Sequence, residues 1–425
     1  MISLFDLTSA YEEGQALFHE AMNSDKSYDF RETERYGNPD GNTICMGDNL
    51  EYMVYLLKEK DMAGKIQLIY VDPPFFSSGK YQASLRLESK ILGKSSLMKI
   101  QAYDDMWSKG MTQYLSMLTA RLLAMKELMS DKGCIWMHLD WHGVYYAKVI
   151  MDQIFGENNF INEVIWTYKS GGSSKRSFAK KHDTLLVYGK SNKYKFNPLK
   201  EKSYNRGLKP YRFKGVEEFC DDVGWYTMVN MKDVWSIDMV GRTSSERTGY
   251  ATQKPEKLME RIIASCTDEN DLCADFFAGS GTFGAVCRKM NRRWIMCDEG
   301  ELSVAGQVHR AGGLDSEFAI EKPLIESRGV VKYDVSGGLV RLLSYECQLP
   351  EGLDEYNDEL TKYMNEDSLC LIKCWSAGTK DENGVHVADK IFSDSWGIYE
   401  TDGAAELSVM GYDVFGRSII GVREE

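Results

Sequence analysis

The chain has 425 residues and a formal net charge of −13 at pH 7, long enough for two or three domains around a sizeable core. Its apolar and charged fractions, 43% and 27%, are those of an ordinary globular protein, and no stretch approaches the apolar length that crosses a bilayer. Met1 to Glu13 carries acids where a signal peptide needs a basic flank and an apolar run, so a cytoplasmic protein is expected.

Residues 1–41 mix short helical patterns with polar turns and read as an N-terminal extension. From 42 to 190 strands and helices alternate. Thr43-Ile44-Cys45-Met46 is a short strand ending at Gly47-Asp48, and the run from Ile66 to Val71 is apolar on both faces, as buried parallel strands are. Thr112 is expected to cap a helix whose Leu115, Leu118, Leu122 and Met125 share one face, with Gly133 just past its end. A strand over 134–139, a helix over 143–155 and strands near 162–168 and 183–188 complete this half. Residues 191–249 lose the rhythm. Alternation returns over 250–314, where Pro255 suits the first turn of a helix running to Cys266. Leu272 to Phe276 is a strand, Gly281 to Met290 a helix and Trp294 to Cys297 a strand. Such alternation predicts one parallel sheet with helices on both faces. Residues 315–425 read as a small, acidic, β-rich domain with strand-like runs at Val330-Val331, Leu339-Val340, Leu369 to Ile372 and Ile398-Tyr399.

Charge is unevenly spread. Ile165 to Lys214 holds fourteen basic and two acidic residues, and Val330 to Glu425 holds eight basic and nineteen acidic ones. The acidic tail therefore hides a basic middle, the footprint expected for phosphate contacts. Lys175, Arg176, Lys193, Lys195, Lys200, Lys202, Arg206 and Lys209 are the candidates for contacts with nucleic-acid phosphates, with Tyr194, Phe196, Tyr204 and Tyr211 interleaved. For any one of these lysines a solvated surface position is the competing reading. The ten cysteines are scattered, and Cys45, Cys134, Cys273 and Cys297 lie in apolar runs, as buried thiols do. Cys370 and Cys374 lack the second pair of a zinc site, and no metal is expected.

Two motifs carry chemistry. Asp72-Pro73-Pro74-Phe75 follows a strand, where ligands of open parallel sheets bind. Asp72 offers a carboxylate, Pro73 a carbonyl and Phe75 an aromatic face, while two prolines stiffen the turn and remove backbone donors. Such a site suits a planar ring bearing an exocyclic amine; a turn without a ligand is the alternative. Phe277-Ala278-Gly279-Ser280-Gly281-Thr282 joins a strand to a helix, and with Gly284 it spells Gly-x-Gly-x-x-Gly. That pattern does not separate a nicotinamide cofactor from S-adenosylmethionine. Asp298, at the end of the next strand, is a candidate for ribose hydroxyls or a solvated strand end. Thr252-Gln253-Lys254-Pro255 reads only as a helix start.

Taken in this order, Asp72-Pro73-Pro74-Phe75, Gln253-Lys254-Pro255 and Asp275-Phe276-Phe277-Ala278-Gly279-Ser280-Gly281-Thr282 resemble the beta-group DNA amino-methyltransferases. Residues 154–160 and His182-Asp183 are similar to the branch of type III restriction-modification modification subunits. The resemblance covers roughly residues 42–310. It implies an α/β fold, the doubly wound S-adenosylmethionine-dependent methyltransferase sheet with permuted motif order, split into a catalytic half (42–190) and a cofactor-binding half (250–314), with an inserted target-recognition region over 191–249. It implies S-adenosylmethionine as cofactor, held by Asp48, Lys254, Pro255, Asp275, Phe277, Ala278, Gly279, Ser280, Gly281, Thr282 and Asp298. Asp72, Pro73, Pro74 and Phe75 would be catalytic, acting on adenine N6 of duplex DNA by base flipping. The family's first motif usually ends in Tyr where this chain has Phe75, so stacking is retained and a hydroxyl contact is not. Ser170 to Arg176 would be a loop over the DNA. A second copy of the chain and a restriction subunit are candidate partners, and a membrane is not. The rivals are cytosine-N4 or RNA methylation on the same fold, a DNA-binding subunit that works only with a partner, and a nicotinamide oxidoreductase, which would leave Asp72 to Phe75 unexplained.

Overall fold

The structure, a computed structural model, describes residues 3–77, 79–108, 110–169, 174–314, 316–323, 327–351, 353–401 and 406–424. Strand Ile66–Val71 is buried at every position. Its side chains alternate between two cores, Ile69 and Val71 in one and Leu68 and Tyr70 in the other, as strand geometry requires. Helices Asn49–Lys58, Gly110–Leu128 and Val144–Phe155 cover the first face. Helices Glu256–Cys266, Thr282–Lys289 and Glu301–Gly312 cover the second.

Six strands run parallel in the spatial order Phe318–Lys322, Thr43–Met46, Arg293–Asp298, Leu272–Asp275, Ile66–Val71 and Met129–Leu139. His182–Gly189 and Phe160–Thr167 continue the sheet antiparallel, and Val234–Ser236 pairs parallel with the latter. Asp275 lies beside Tyr70 on one side and Met296 on the other. The carboxyl ends of three central strands thus share one edge of the sheet, although the chain between two of them is about two hundred residues long.

Several local expectations shift. The helix Gly110–Leu128 begins before Thr112 and passes directly into strand Met129–Leu139, so Gly133 is a strand residue. A Cβ there would lie 2.9 Å from the Ser130 carbonyl oxygen and 3.1 Å from that of Ile66, so close backbone approach explains the glycine. Pro255 is the N-cap, in extended conformation, and the helix starts at Glu256. Ser368–Leu371 is a 3₁₀ turn, with the strand following at Ile372–Lys380; a short apolar run has no periodicity to distinguish the two. The irregular middle contains a three-stranded antiparallel sheet of Lys200–Tyr204, Trp225–Asn230 and Phe219–Cys220. The loop residues 170–173 lie outside the described residues.

Both ends of the chain join this body. Helix Leu4–Asn23 opens on a capping box between Ser3 and Asp6. It packs so closely on Gly110–Leu128 that a Cβ at Gly14 would lie 2.4 Å from Thr119 Cβ. Strand Arg31–Tyr36 pairs antiparallel with Phe318–Lys322 and parallel with His386–Ala388. The hairpin of Lys80–Ser89 and Lys94–Asp104 places Leu85, Leu87 and Met98 in a third core with Tyr333, Leu342, Tyr363 and Trp375. Among the described residues no helix is long and apolar enough to cross a membrane.

Glu34, fully buried, accepts from Lys322 Nζ at 2.8 Å and from the Tyr412 hydroxyl at 2.7 Å. Burial alone would raise its carboxyl; the Lys322 charge and hydrogen bonds hold it below the ordinary range. Removing the cation leaves a buried carboxylate without its counter-charge, which typically costs about 3–5 kcal/mol. Lys322→Met should therefore lower the thermal midpoint by many degrees, while Lys332→Met, on an exposed pair with Glu346, should change it little. Thermal melts followed by circular dichroism compare the two.

Candidate active site

Strand Ile66–Val71 ends at Asp72, and neither Pro73 nor Pro74 has an N–H to extend pairing. The chain then turns through Phe76, whose φ of 60° is unfavourable for a bulky side chain. Asp105, fully buried, holds that turn in place. It accepts from Phe76 N at 3.2 Å, Ser77 N at 2.6 Å, Ser77 Oγ at 2.7 Å and Trp107 Nε1 at 2.9 Å. No sequence pattern marks Asp105; it is one acid among many until the turn folds onto it.

Asp72 presents its two oxygens to different surroundings. Oδ2 accepts from Lys254 Nζ, and that ammonium lies 5.2 Å from the centre of the Phe75 ring. Oδ1 is buried without a hydrogen-bond partner and lies 3.7 Å from His138 Nδ1. His138, fully buried, contacts the Tyr70 hydroxyl at 2.7 Å through Nδ1 and Asp183 Oδ2 at 3.3 Å through Nε2. Its ring also meets Phe75 and Trp166, with centroids 5.6 and 5.4 Å apart. Burial would raise the Asp183 carboxyl, but the hydrogen bond and charge of His138, helped by Lys254 and Tyr168, lower it. Sequence reasoning assigned His138 no role, because a single histidine on a strand carries no spacing signal.

The glycine turn follows strand Leu272–Asp275. Gly279 and Gly281 have φ of 46° and 70°, which L side chains rarely adopt, and a Cβ at Gly284 would lie 2.4 Å from Met296 Sδ. Asp275 is an internal anchor, accepting Phe277 N at 2.9 Å from a buried position. Asp298 accepts Gly279 N at 2.8 Å and Gly300 N at 2.9 Å, so it ties two turns together. Its exposed neighbour Glu299 faces the cavity as well. Asp48 caps helix Asn49–Lys58 and pairs with Arg121 at 2.7 Å. Gln253 folds the loop before the Glu256–Cys266 helix by accepting Thr248 N at 2.8 Å and donating to the Glu246 carbonyl at 2.6 Å. The Gln-Lys-Pro triplet thus has a local purpose: it shapes the loop that delivers Lys254.

These elements enclose one cavity of about 430 Å³. Asp72 to Phe75 form one end, with Gly279, Asp298 and Gly47-Asp48 around the rest. Its charged lining is acidic, with Asp48, Asp72, Asp298 and Glu299 against Arg121 and Lys254. Ala278, Ser280, Thr282 and Asp275 line a second, small cleft behind Lys254 instead. Pro255 lines neither of these two spaces.

The candidate DNA-binding residues divide between the two edges of the sheet. Lys175 and Arg176, both exposed, lie between strands Phe160–Thr167 and His182–Gly189 at the edge that holds Asp72. Exposed Arg242 and Arg247 follow strand Val234–Ser236 toward the same edge. Lys193 and Lys195 are at the opposite edge, where Lys195 N donates to the Lys132 carbonyl and its ammonium pairs with Asp268 and Asp271. Lys202 pairs with Asp221 at 2.7 Å, while Lys200, Arg206 and Lys209 are exposed on and beside the small sheet. Strand direction, invisible in a residue count, makes this division.

An open, largely parallel sheet with a glycine turn and an acidic motif on adjacent strand ends is the architecture of the α/β enzymes that bind a nucleotide-like cofactor at the carboxyl ends of their strands. The chain belongs to the DNA methylase family (N6_N4_Mtase), whose profile matches residues 66–305. It is similar to the type II methyltransferase M.EcaI of Enterobacter cloacae, 27% identical over 78% of this chain and 82% of that one. It is also similar to the type II methyltransferase M2.LlaDCHI of Lactococcus lactis subsp. cremoris, 27% identical over 57% of this chain and 81% of that one. Among solved structures, the cytosine-N4-specific PvuII DNA methyltransferase aligns with a TM-score of 0.42 at 16% identity, covering 66% of this chain and 89% of that one. The M1.HpyAVI–SAM complex aligns at 0.40 and 17%, covering 63% and 98%.

Burial pushes the Asp275 carboxyl well above its ordinary value, against the hydrogen bond from Phe277 N. A carboxyl raised in the folded state keeps its proton to higher pH there than in the unfolded chain. Its contribution to stability is full below the unfolded value of 3.8 and is lost as pH rises through the folded value. Asn keeps the acceptor and never ionises. Asp275→Asn should therefore leave the thermal midpoint unchanged in acid and raise it increasingly toward alkaline pH. Melts across a pH series test this, and a constant offset would contradict it.

Proposed function

We propose that this chain is a site-specific adenine-N6 DNA methyltransferase with S-adenosylmethionine as methyl donor. The observation that carries the reading is the meeting of Asp72 and Phe75 with the glycine turn and Asp298 around one cavity. One end offers a carboxylate beside an aromatic face, and the other offers backbone and carboxylates to a nucleoside. The acidic lining suits a cofactor that carries a positive sulfonium, and it disfavours the pyrophosphate of a nicotinamide dinucleotide. Glu299, exposed in the cavity while Asp298 holds backbone, is proposed as the acceptor of the ribose hydroxyls. When bound, the cofactor supplies an electrophilic methyl group.

The residues of the chain do the rest. Phe75 stacks on the flipped base, Asp72 Oδ2 and the Pro73 carbonyl accept the amino hydrogens, and the amine lone pair turns toward the methyl carbon. The bound cofactor would supply the methyl group and leave with the electron pair of its broken bond, and Asp72 takes the proton that the amine nitrogen loses. Asp105 fixes the turn that follows Phe75, and His138 packs against the Phe75 ring and faces Asp72 Oδ1. Catalysis rests on positioning and on stabilising charge that grows on nitrogen. Flipping costs a few kcal/mol, offset by stacking and backbone contacts. Asp in the first motif position supports adenine, since Ser is the usual companion of cytosine N4 in the resembled family. Ten free cysteines, seven of them buried, fit the reducing cytoplasm. A restriction nuclease is the proposed partner system, as its relatives are type II methyltransferases.

Modification-sensitive sequencing of DNA from cells expressing the chain should show N6-methyladenine at a fixed sequence. N4-methylcytosine as the sole product would replace the adenine reading, and unmodified DNA would favour a subunit that needs a partner. Asp72→Ala should lower single-turnover methylation by about a hundredfold or more with cofactor binding retained. Phe75→Ala should cost about 1–3 kcal/mol of base stacking, and Phe75→Tyr should be tolerated.

DNA is proposed to cross the edge that holds Asp72, contacting 174–181 and 237–252 as well as the exposed residues of the small sheet. Neutralising Lys175, Arg176, Arg242 and Arg247 should reduce the salt dependence of DNA binding by about one unit of slope per lost phosphate contact. Neutralising Lys193 and Lys195 should leave the slope unchanged. Filter binding across a salt series separates the two outcomes.

A further inference from the structure

Asp72 has one oxygen within reach of the cavity. Its Oδ1 is buried and faces His138, so a target amine must use Oδ2. Lys254 already donates to that oxygen, with its ammonium 5.2 Å from the Phe75 ring centre. An N–H donor held against a carboxylate above an aromatic face is the arrangement that a stacked aminopurine would present. Both side chains are largely enclosed, Lys254 at 10% and Asp72 at 17% exposure, and the lysine holds the oxygen that an incoming amine would use.

We propose that Lys254 is a latch that occupies the amine site of Asp72 until the carboxylate of the cofactor draws it away, so that cofactor binding opens the site to the base. This rests on the proposed reading of the cavity as a site for S-adenosylmethionine. Lys254 lines both the main cavity and the small second cleft beside the glycine turn. Arg121, the other cation of the main cavity, is held by Asp48 at 2.7 Å. Apart from Asp72, Lys254 reaches the Thr252 carbonyl at 3.4 Å, a long contact that gives little hold. A ligand carboxylate exchanges one charge-assisted bond for another, so the ammonium moves without being left bare. The two ligands then favour each other reciprocally, because each prefers the state in which Lys254 has left Asp72.

Calorimetry on the full chain tests the latch without turnover. The probes are S-adenosylhomocysteine, which carries the carboxylate, and methylthioadenosine, which lacks it. Asp72→Asn weakens the hold on Lys254, so S-adenosylhomocysteine should bind about tenfold more tightly than to the wild type, within the usual range of coupling between sites. Methylthioadenosine affinity should stay the same. In a Lys254→Gln background the Asp72→Asn change should have no effect on either probe. Lys254→Gln alone should weaken S-adenosylhomocysteine selectively, which keeps the test decisive if the Asp72 variant folds poorly. An unchanged ratio between the probes in both single variants would overturn the latch. Failure of both probes to bind the wild type would overturn the cofactor reading itself, and the latch with it.

Discussion

The parallel pairing of Leu272–Asp275 with Ile66–Val71 is the constraint on which the site depends. It sets Asp275 beside Tyr70, so the two chains leave the sheet next to each other, one into Asp72-Pro73-Pro74-Phe75 and the other into the glycine turn. A shift by one residue would reverse the faces of every side chain in the strand. Tyr70 would then leave the core in which it stacks on Phe283 at 5.6 Å, and Ile69 would leave the opposite core. The hydrophobic pattern of a fully buried strand thus also specifies where the Asp72 carboxylate emerges.

Electrostatics within the molecule work on two scales. The cavity has an acidic lining, and the two cations in that lining, Arg121 and Lys254, are both committed to carboxylates. Lys175, Arg176, Arg242 and Arg247 belong to the loops at the edge that holds Asp72, and Lys200, Arg206 and Lys209 lie on and beside the small sheet of the middle region. An acidic protein can in this way address a polyanion, because screening confines exposed charges to their neighbourhood, about 8 Å at physiological ionic strength. The ion pairs of Lys195 and Lys202 reduce what those residues offer to phosphates.

The C-terminal segment bears on the site through the hairpin that follows Asp72 to Phe75. The hairpin core residues Leu85 and Leu87 pack among C-terminal side chains, Ser89 Oγ donates to Asp367, and Ser84 N donates to the Gly249 carbonyl at 3.1 Å, next to Tyr250 of the cavity wall. At its other end the hairpin delivers Asp105, which holds the turn after Phe75. Order in the acidic segment is therefore coupled by packing to order at the motif. The Glu34, Lys322 and Tyr412 cluster joins the same segment to the first strand of the chain.

Much of this was legible in the sequence because its signals are local. The central strands are continuous apolar runs, the covering helices are amphipathic, and Gly279 and Gly281 sit where the backbone must take positive φ. The motifs Asp72 to Phe75 and Asp275 to Thr282 announce themselves for the same reason, since each is a single turn whose chemistry lies in adjacent residues. What depended on long-range pairing was not legible. The sequence counts Lys193 and Lys175 alike, and only strand direction puts them at opposite edges. Asp105 and His138 become meaningful when a turn and a strand are folded against Asp72, and Lys254 when Gln253 shapes its loop. Register, strand order and burial decide such contacts, because they arise from the packing of segments far apart in the chain, and no spacing along the chain encodes them.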